Sequence, residues 1–277
     1  MNQSEITGKR IRDARQNEGL SREQLGEQLG VSLQTVDAWE TGKSVPDSAH
    51  LPALAKALDL SLDALFAEEE KNWTLKPVNY DVSYMSAYVK ERAQTLGLTQ
   101  TLAVMDKLEP AHGNQVRRSK NGFGTSYMVH PLTLACHALA MGLMDDDVLA
   151  ACLAHDMVED SDLRVSDLPA GDMVREAVRL VSKSEYNQHE ADWEESYYQN
   201  IRMNPLASLV KCLDRVNNVA GMADAFSRKK MIRYVEETDR YYPALLEVVK
   251  KVPQWNDAWW LLRYQMLTMI EAFKRLL

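Results

Sequence analysis

The sequence predicts an all-α chain in two parts, a five-helix unit followed by a larger, all-helical domain. Three observations carry that reading. Apolar residues recur three and four positions apart in one segment after another, the spacing that lines one face of a helix. Helix-bounding residues, among them Ser21, Ser32 and Gly142, punctuate these segments. The 277 residues also divide naturally into a small module and a domain of about 200 residues, large enough to bury its own core. The first unit is expected over 1–67, a linker over 68–86 and the second domain over 87–277. The linker rests on AEEEKNWTLKP (67–77), where clustered charge and Pro77 break the helical pattern.

Within the first unit, KRIRDARQNEG is an apolar-periodic helix ended by Gly19. SREQLGEQLG follows, with Ser21 and Gln24 at capping-box spacing. VSLQTVDAWETGKSVPD begins on Ser32 as N-cap and sets Val36 and Trp39 three apart on a packing face. LPALAKALDLSLDALF supplies two more short helices. Helix, short turn and second helix make a helix-turn-helix. The run A-W-E-T-G-K-x-x-P-D resembles the repressor/Cro-type (XRE) family, across residues 6–66.

That resemblance implies a recognition helix entering the major groove by its first turns. Leu33, Gln34, Asp37 and Ala38 become candidate base-edge readers. Gln34 can pair with adenine, and Leu33 can touch a thymine methyl. Arg22 and Lys43 are candidates for phosphate contacts. Residues 1–66 hold seven Lys/Arg against ten Asp/Glu, and phosphate neutralisation supplies much of DNA affinity. One net-negative copy would bind weakly. A homodimer on a two-fold operator is therefore expected, or a module that contacts protein instead.

The second domain opens on NYDVSYMSAYVKERAQTLG as a lead-in helix. LAHDMVEDSD then carries His155 and Asp156 side by side in an apolar helix expected from Asp147 to Asp160, with Asp145 or Asp146 as N-cap. On a helical wheel His155, Asp156, Glu159 and Asp160 fall at about 0, 100, 40 and 140°. One face thus bears an imidazole and three carboxylates, while Ala154, Met157 and Val158 pack the other. His130 precedes Pro131, the first helical position of LTLACHALAMG, a helix ended by Gly142. Asp214 ends another apolar helix, LASLVKCLDRVNNV, whose Leu209, Val210 and Leu213 face inward. Buried charges cost several kcal/mol unless they are paired or ligate metal. Two imidazoles and two carboxylates suit a divalent ion, with Mn2+ or Fe2+ favoured over Zn2+ by the oxygen-rich set.

Five ordered blocks resemble the HD superfamily of metal phosphohydrolases, and within it the hydrolase domain of stringent-response Rel/SpoT enzymes and small alarmone hydrolases. They are AHGNQVRRS (111–119), YMVHPLTLA (127–135), LAHDMVEDSD, LVSKSE (180–185) and VKCLDRVNNV (210–219), within roughly residues 90–240. The resemblance implies metal ligands at His130, His155, Asp156 and Asp214. It implies Glu159 and Asp160 as the pair that orients and deprotonates the attacking water. Arg117 would stack on the base, Arg118 lie near the phosphates, and Asn218 sit beside the nucleoside. The implied reaction removes the 3′-pyrophosphate of a guanosine or adenosine alarmone of the (p)ppGpp kind. Two departures stand out. Arg117 and His130 are further apart than in the family, with NGFGTS inserted, and Asn121, Gly122 and Gly124 mark that insert as a turn or loop. Asn217 stands where the family often has His.

The tail, YYPALLEVVKKV and WNDAWWLLRYQMLTMIEAFKRLL, sets Trp255, Trp259 and Trp260 with Leu261, Leu262 and Met266 on a broad apolar face. Core packing or a dimer interface explains such a face. The residues after Asp239 are too few for a nucleotidyl-transfer domain, so the degrading half alone is expected. Cys136, Cys152 and Cys212 lie in apolar helical runs without C-x-x-C spacing, as reduced core residues of a cytoplasmic protein do. No signal peptide opens the chain, no apolar run approaches the length of a membrane span, and the net charge of −8 gives no support for membrane binding. Two other functions fit the same residues: an HD enzyme acting on other nucleotides or RNA ends, and a transcription regulator that senses an alarmone without turnover. The fusion also allows an antitoxin that degrades the product of a toxic alarmone synthetase.

Overall fold

The computed structural model describes residues 3–60, 62–66, 81–112, 116–118 and 124–277, with backbone alone at 3, 63–64, 112, 116–118, 124–125 and 224. Among the described residues the chain is helical apart from one short antiparallel strand pair, and it divides into two compact units.

The first unit holds α1 (Gln3–Asn17), α2 (Arg22–Leu29), α3 (Leu33–Glu40), α4 (Leu51–Ala57) and α5 (Leu62–Phe66). Ser21 and Gln24 close the expected capping box on α2, hydroxyl to amide at 3.1 Å and amide to carboxamide at 2.7 Å. Gly30 ends α2 with φ +67, a conformation that costs glycine nothing, and Ser32 caps α3 two residues later. A Cβ on Gly8 would sit 2.3 Å from the Trp39 carbonyl oxygen, so glycine lets α1 approach α3. Ile11, Leu25, Val36, Trp39, Leu54 and Leu65 are buried together beneath these helices. Within that core Glu40 is fully buried and gathers Arg12, Arg15 and Arg22 around its carboxylate. Burial would push its carboxyl up, but the two guanidiniums of Arg15 and Arg22 outweigh burial and hold it below the ordinary range.

The second unit comprises α6 (Val82–Leu96), α7 (Thr99–His112), β1 (Val116–Arg118), β2 (Gly124–Ser126), α8 (Val129–Ala140), α9 (Asp146–Ala154), α10 (Asp172–Val181), α11 (Trp193–Arg202), α12 (Pro205–Ala225), α13 (Arg228–Lys250) and α14 (Asn256–Leu276). Helix α12 is the central column, touching α8, α9, α10, α11, α13 and α14. Asn204 caps it and Pro205 opens it. The run Asp145-Asp146-Asp147 is structural. Asp145 caps α9, Asp146 accepts the first amides of α7 from Gln100 and Thr101, and Asp147 takes the Gln100 side chain.

Several expectations are corrected. The lead-in helix forms, capped by Asp81, but it begins at Val82, inside the stretch assigned to the linker; residues 67–80 lie outside the described residues. The helix expected to reach Asp160 stops at Ala154. The His155 ring takes the Cys152 carbonyl at 2.8 Å, which the Asp156 amide would use in a continued helix, and tight turns follow. Residues 124–126 of the expected NGFGTS loop are a strand paired with β1, while 121–123 lie outside the described residues. Asp214 sits in mid-helix, because α12 continues to Ala225. His130 lies inside the first turn of α8 and not ahead of it.

Candidate metal centre

Three stretches of the second unit meet at one buried point. α8 contributes His130, the turn leaving α9 contributes His155 and Asp156, and α12 contributes Asp214. The two Nε2 atoms lie 3.1 Å apart. Asp214 Oδ1 is 3.1 Å from His130 Nε2 and 3.8 Å from His155 Nε2. Asp156 Oδ2 is 3.5 and 3.1 Å from the same two nitrogens. Ligand atoms of His130, His155 and Asp214 all fall within 4.8 Å of one another, a group that could hold a metal ion. A turn, and not the helix face expected from the sequence, presents His155 and Asp156 together.

Both rings are fixed from behind. His155 Nδ1–H donates to the Cys152 carbonyl at 2.8 Å, and a carbonyl only accepts. His130 Nδ1–H donates to Asn217 Oδ1 at 2.8 Å. In neutral rings this leaves two Nε2 lone pairs facing each other across 3.1 Å. Such a contact repels unless a proton or a cation lies between. Anchoring the far nitrogen in this way is how metal-binding histidines are oriented. The donor set, two imidazoles and two carboxylates, therefore fits a divalent metal.

The charges respond accordingly. Burial alone would lower the His155 pKa, but the Asp156 and Asp214 carboxylates outweigh it and hold the ring up at about 8. Burial likewise opposes the charge on Asp214, yet Lys211 and His130 keep it well below the usual carboxylate range. Lys211 Nζ meets Asp214 Oδ2 at 3.1 Å, and the Asn218 amide donates to Oδ1. One oxygen of Asp214 thus answers a lysine while the other faces the imidazoles.

Around this centre, Tyr127 donates to Asp156 Oδ2 at 3.1 Å and also reaches the Asp160 carboxylate. Glu159 is exposed and accepts the Lys183 backbone amide at 2.9 Å. Lys183 is half-buried with its Nζ 5.9 Å over the Tyr197 ring; Lys211 Nζ lies 5.7 Å over that same ring. Burial first, then the nearby Lys211 charge, push the Lys183 pKa down. Its ammonium has no hydrogen-bonded acceptor among the described residues. Arg117 and Arg118 lie on β1, and their side chains lie outside the described residues. Sequence reasoning missed Tyr127, Lys183, Lys211 and the supporting part of Asn217. Lys211 and Asn217 stand three residues either side of Asp214 on one helix, a spacing that marks neighbours.

In the first unit Leu33, Gln34 and Lys43 are exposed, and Asp37 and Ala38 are half-exposed along α3. Arg22 is bound to Glu40 at 2.7 Å and lies 3.7 Å from Asp37, so its charge is shared inward. All three cysteines are free thiols, and burial pushes Cys152 up to about 12. Among the described residues no helix is long and apolar enough to cross a membrane.

The fold and the centre define a two-unit chain, a helix-turn-helix followed by a helical unit with a His-His-Asp-Asp cluster. The helix-turn-helix family matches residues 11–65. The uncharacterized HTH-type transcriptional regulator YgzD of Bacillus subtilis (strain 168) is 36% identical over 63 residues, covering 23% of this chain and 96% of that protein. Through its N-terminal unit the chain belongs to the helix-turn-helix family. The guanosine-3′,5′-bis(diphosphate) 3′-pyrophosphohydrolase of Aquifex aeolicus (strain VF5) is 30% identical over 139 residues, covering 48% of this chain and 19% of that protein. Its namesake from Vibrio cholerae serotype O1 is 34% identical over 144 residues, 49% of this chain and 19% of that protein. A region of the chain is thus distantly similar to the hydrolase domains of these enzymes, and the chain spans about a fifth of their length.

Proposed function

We propose that the second unit removes the 3′-pyrophosphate of a guanosine or adenosine alarmone with the help of Mn2+ or Fe2+, and that the first unit binds a DNA operator. The observation that supports this most is the pair of back-anchored imidazoles, Nε2 atoms 3.1 Å apart, between two carboxylates. A divalent ion held there supplies a Lewis acid for a phosphoryl oxygen and a lowered pKa for water. The chain's own groups do the rest. Asn217 and the Cys152 carbonyl aim the two rings. Lys211 and Asn218 hold Asp214 in place, and Tyr127 ties Asp160 to Asp156. Glu159 and Asp160 orient the attacking water, and one of the two carboxylates takes its proton. Lys183, whose ammonium has no hydrogen-bonded acceptor among the described residues, meets a phosphate, while Arg117, Arg118 and Asn218 contact the nucleotide. On DNA, Leu33, Gln34, Asp37 and Ala38 read base edges, with Lys43 on a phosphate and Arg22 turned inward to Glu40.

The test is metal analysis of the purified full chain coupled to a pyrophosphate-release screen over (p)ppGpp, (p)ppApp and deoxynucleotides. His155→Ala should lose metal and turnover together. A folded, metal-loaded protein inert toward every 3′-pyrophosphorylated nucleotide would end the proposal. A second reading, alarmone sensing without turnover, draws on Glu159 and Asp160 being engaged by the Lys183 amide and Tyr127. A ligand-dependent operator footprint with no product would favour it.

A further inference from the structure

Helix α14 is apolar on two sides, and among the described residues only one of them is packed. Ala258, Trp259, Leu262, Met266 and Ile270 of α14 are buried in the core. On the opposite side Trp260, Tyr264 and Leu267 are 61%, 67% and 47% exposed. Single exposed apolar residues mean nothing, but these three share one row. With Asp257, Glu271 and Lys274 they repeat at alternating intervals of three and four residues, the seam spacing of paired helices.

We propose that this row docks antiparallel on the same helix of a second copy of the chain. The intervals read the same in both directions about a point midway between Tyr264 and Leu267. A two-fold axis there sets Tyr264 against the second copy's Leu267 and Trp260 along the stem of its Glu271. It also sets Asp257 opposite Lys274, and does so twice. α14 carries its acid, Asp257, in the first turn and its bases, Lys274 and Arg275, in the last. An antiparallel pair therefore matches opposite charges at both ends. A parallel pair would set Asp257 on Asp257 and Lys274 on Lys274, which repels. Lys274 Nζ already bonds Asp239 at 2.8 Å and Glu271 at 3.3 Å; an ammonium has three donors, so one remains for the incoming carboxylate. Trp260 stands edge-on against buried Trp259, ring centres 4.9 Å apart, which limits the rotamer freedom it has left to lose. The dimer carries two helix-turn-helix units, the number that a two-fold operator calls for.

Sedimentation velocity of the full chain over a wide concentration range tests this. The native protein should show a reversible monomer–dimer equilibrium. Tyr264→Arg should raise the dimer Kd by roughly tenfold or more, with an unchanged far-UV spectrum because the site is exposed. Asp257→Lys should weaken the dimer, and Asp257→Glu should keep it. A native chain that is monomeric throughout, a dimer indifferent to Tyr264→Arg, or one indifferent to Asp257→Lys would each overturn the proposal.

Discussion

Replacing Asp214 with asparagine asks whether one carboxylate serves two cations at once. Its Oδ2 takes Lys211 Nζ at 3.1 Å while Oδ1 faces His130 Nε2 at 3.1 Å. Both Asp214 and Lys211 are more than nine-tenths buried. Removing one partner of a buried ion pair costs about 3–5 kcal/mol, because the charge left behind has neither water nor counter-ion. In a domain of this size each kcal/mol moves the melting temperature by about 2–4 °C. The metal-free Asp214→Asn protein should therefore melt roughly 6–20 °C below the native one. Asp156→Asn is the control. Asp156 is half-buried and, among the described residues, has no lysine partner; it faces the His155 ring at 3.1 Å. Above pH 8, where that ring is neutral, its loss should therefore cost about 1 kcal/mol, the worth of a hydrogen bond. Both variants should lose metal. Calorimetry in chelator, with metal content measured in parallel, separates the two effects. If the two metal-free variants melt within about 2 °C of each other, the dual role of Asp214 is wrong.

Three further outcomes are expected. His155 is held at about 8 against an ordinary 6.5. Its contribution to the metal-free fold is thus complete below pH 6.5 and lost as pH rises through 8. Metal requires the neutral ring, so affinity should climb by up to about tenfold per pH unit over that window, with proton release; calorimetric titrations showing a flat profile would refute it. Asn217→Ala should weaken metal binding by roughly 10–100-fold with little change in melting, read by competition with a chromogenic chelator. Ser32→Ala should cost the first unit about 1 kcal/mol through its lost cap, while Gln34→Ala should weaken operator binding by about 1–3 kcal/mol and leave melting unchanged; equal effects of the two on melting would contradict the assignment.

The first unit was legible because its signals are local. Ser21, Gln24 and Ser32 cap the helices that follow them, and Val36 and Trp39 face inward as their spacing requires. The cluster of His130, His155, Asp156 and Asp214 was legible as a set of residues and not as a geometry. A run such as LAHDMVED has helical composition throughout, and nothing in it signals that an imidazole will claim the Cys152 carbonyl and stop the helix. The strand pairing of β1 with β2 was equally hidden, since three-residue strands are too short for alternation to register. The supporting role of Asn217 was invisible for another reason. It comes from the His130 that α8 brings opposite α12, which no single segment records, whereas Lys211 and Asp214 stand three apart on one helix and their pairing was there to be read.

The arginine cluster on Glu40 bears on how the first unit would respond to its surroundings. Arg12, Arg15 and Arg22 converge on that one buried carboxylate, three of the seven basic residues in 1–66. Each cation held inward is one fewer to displace condensed ions from a polyanion. Grip on a duplex through this unit should therefore vary little with ionic strength, and selectivity should rest on shape and base chemistry more than on charge.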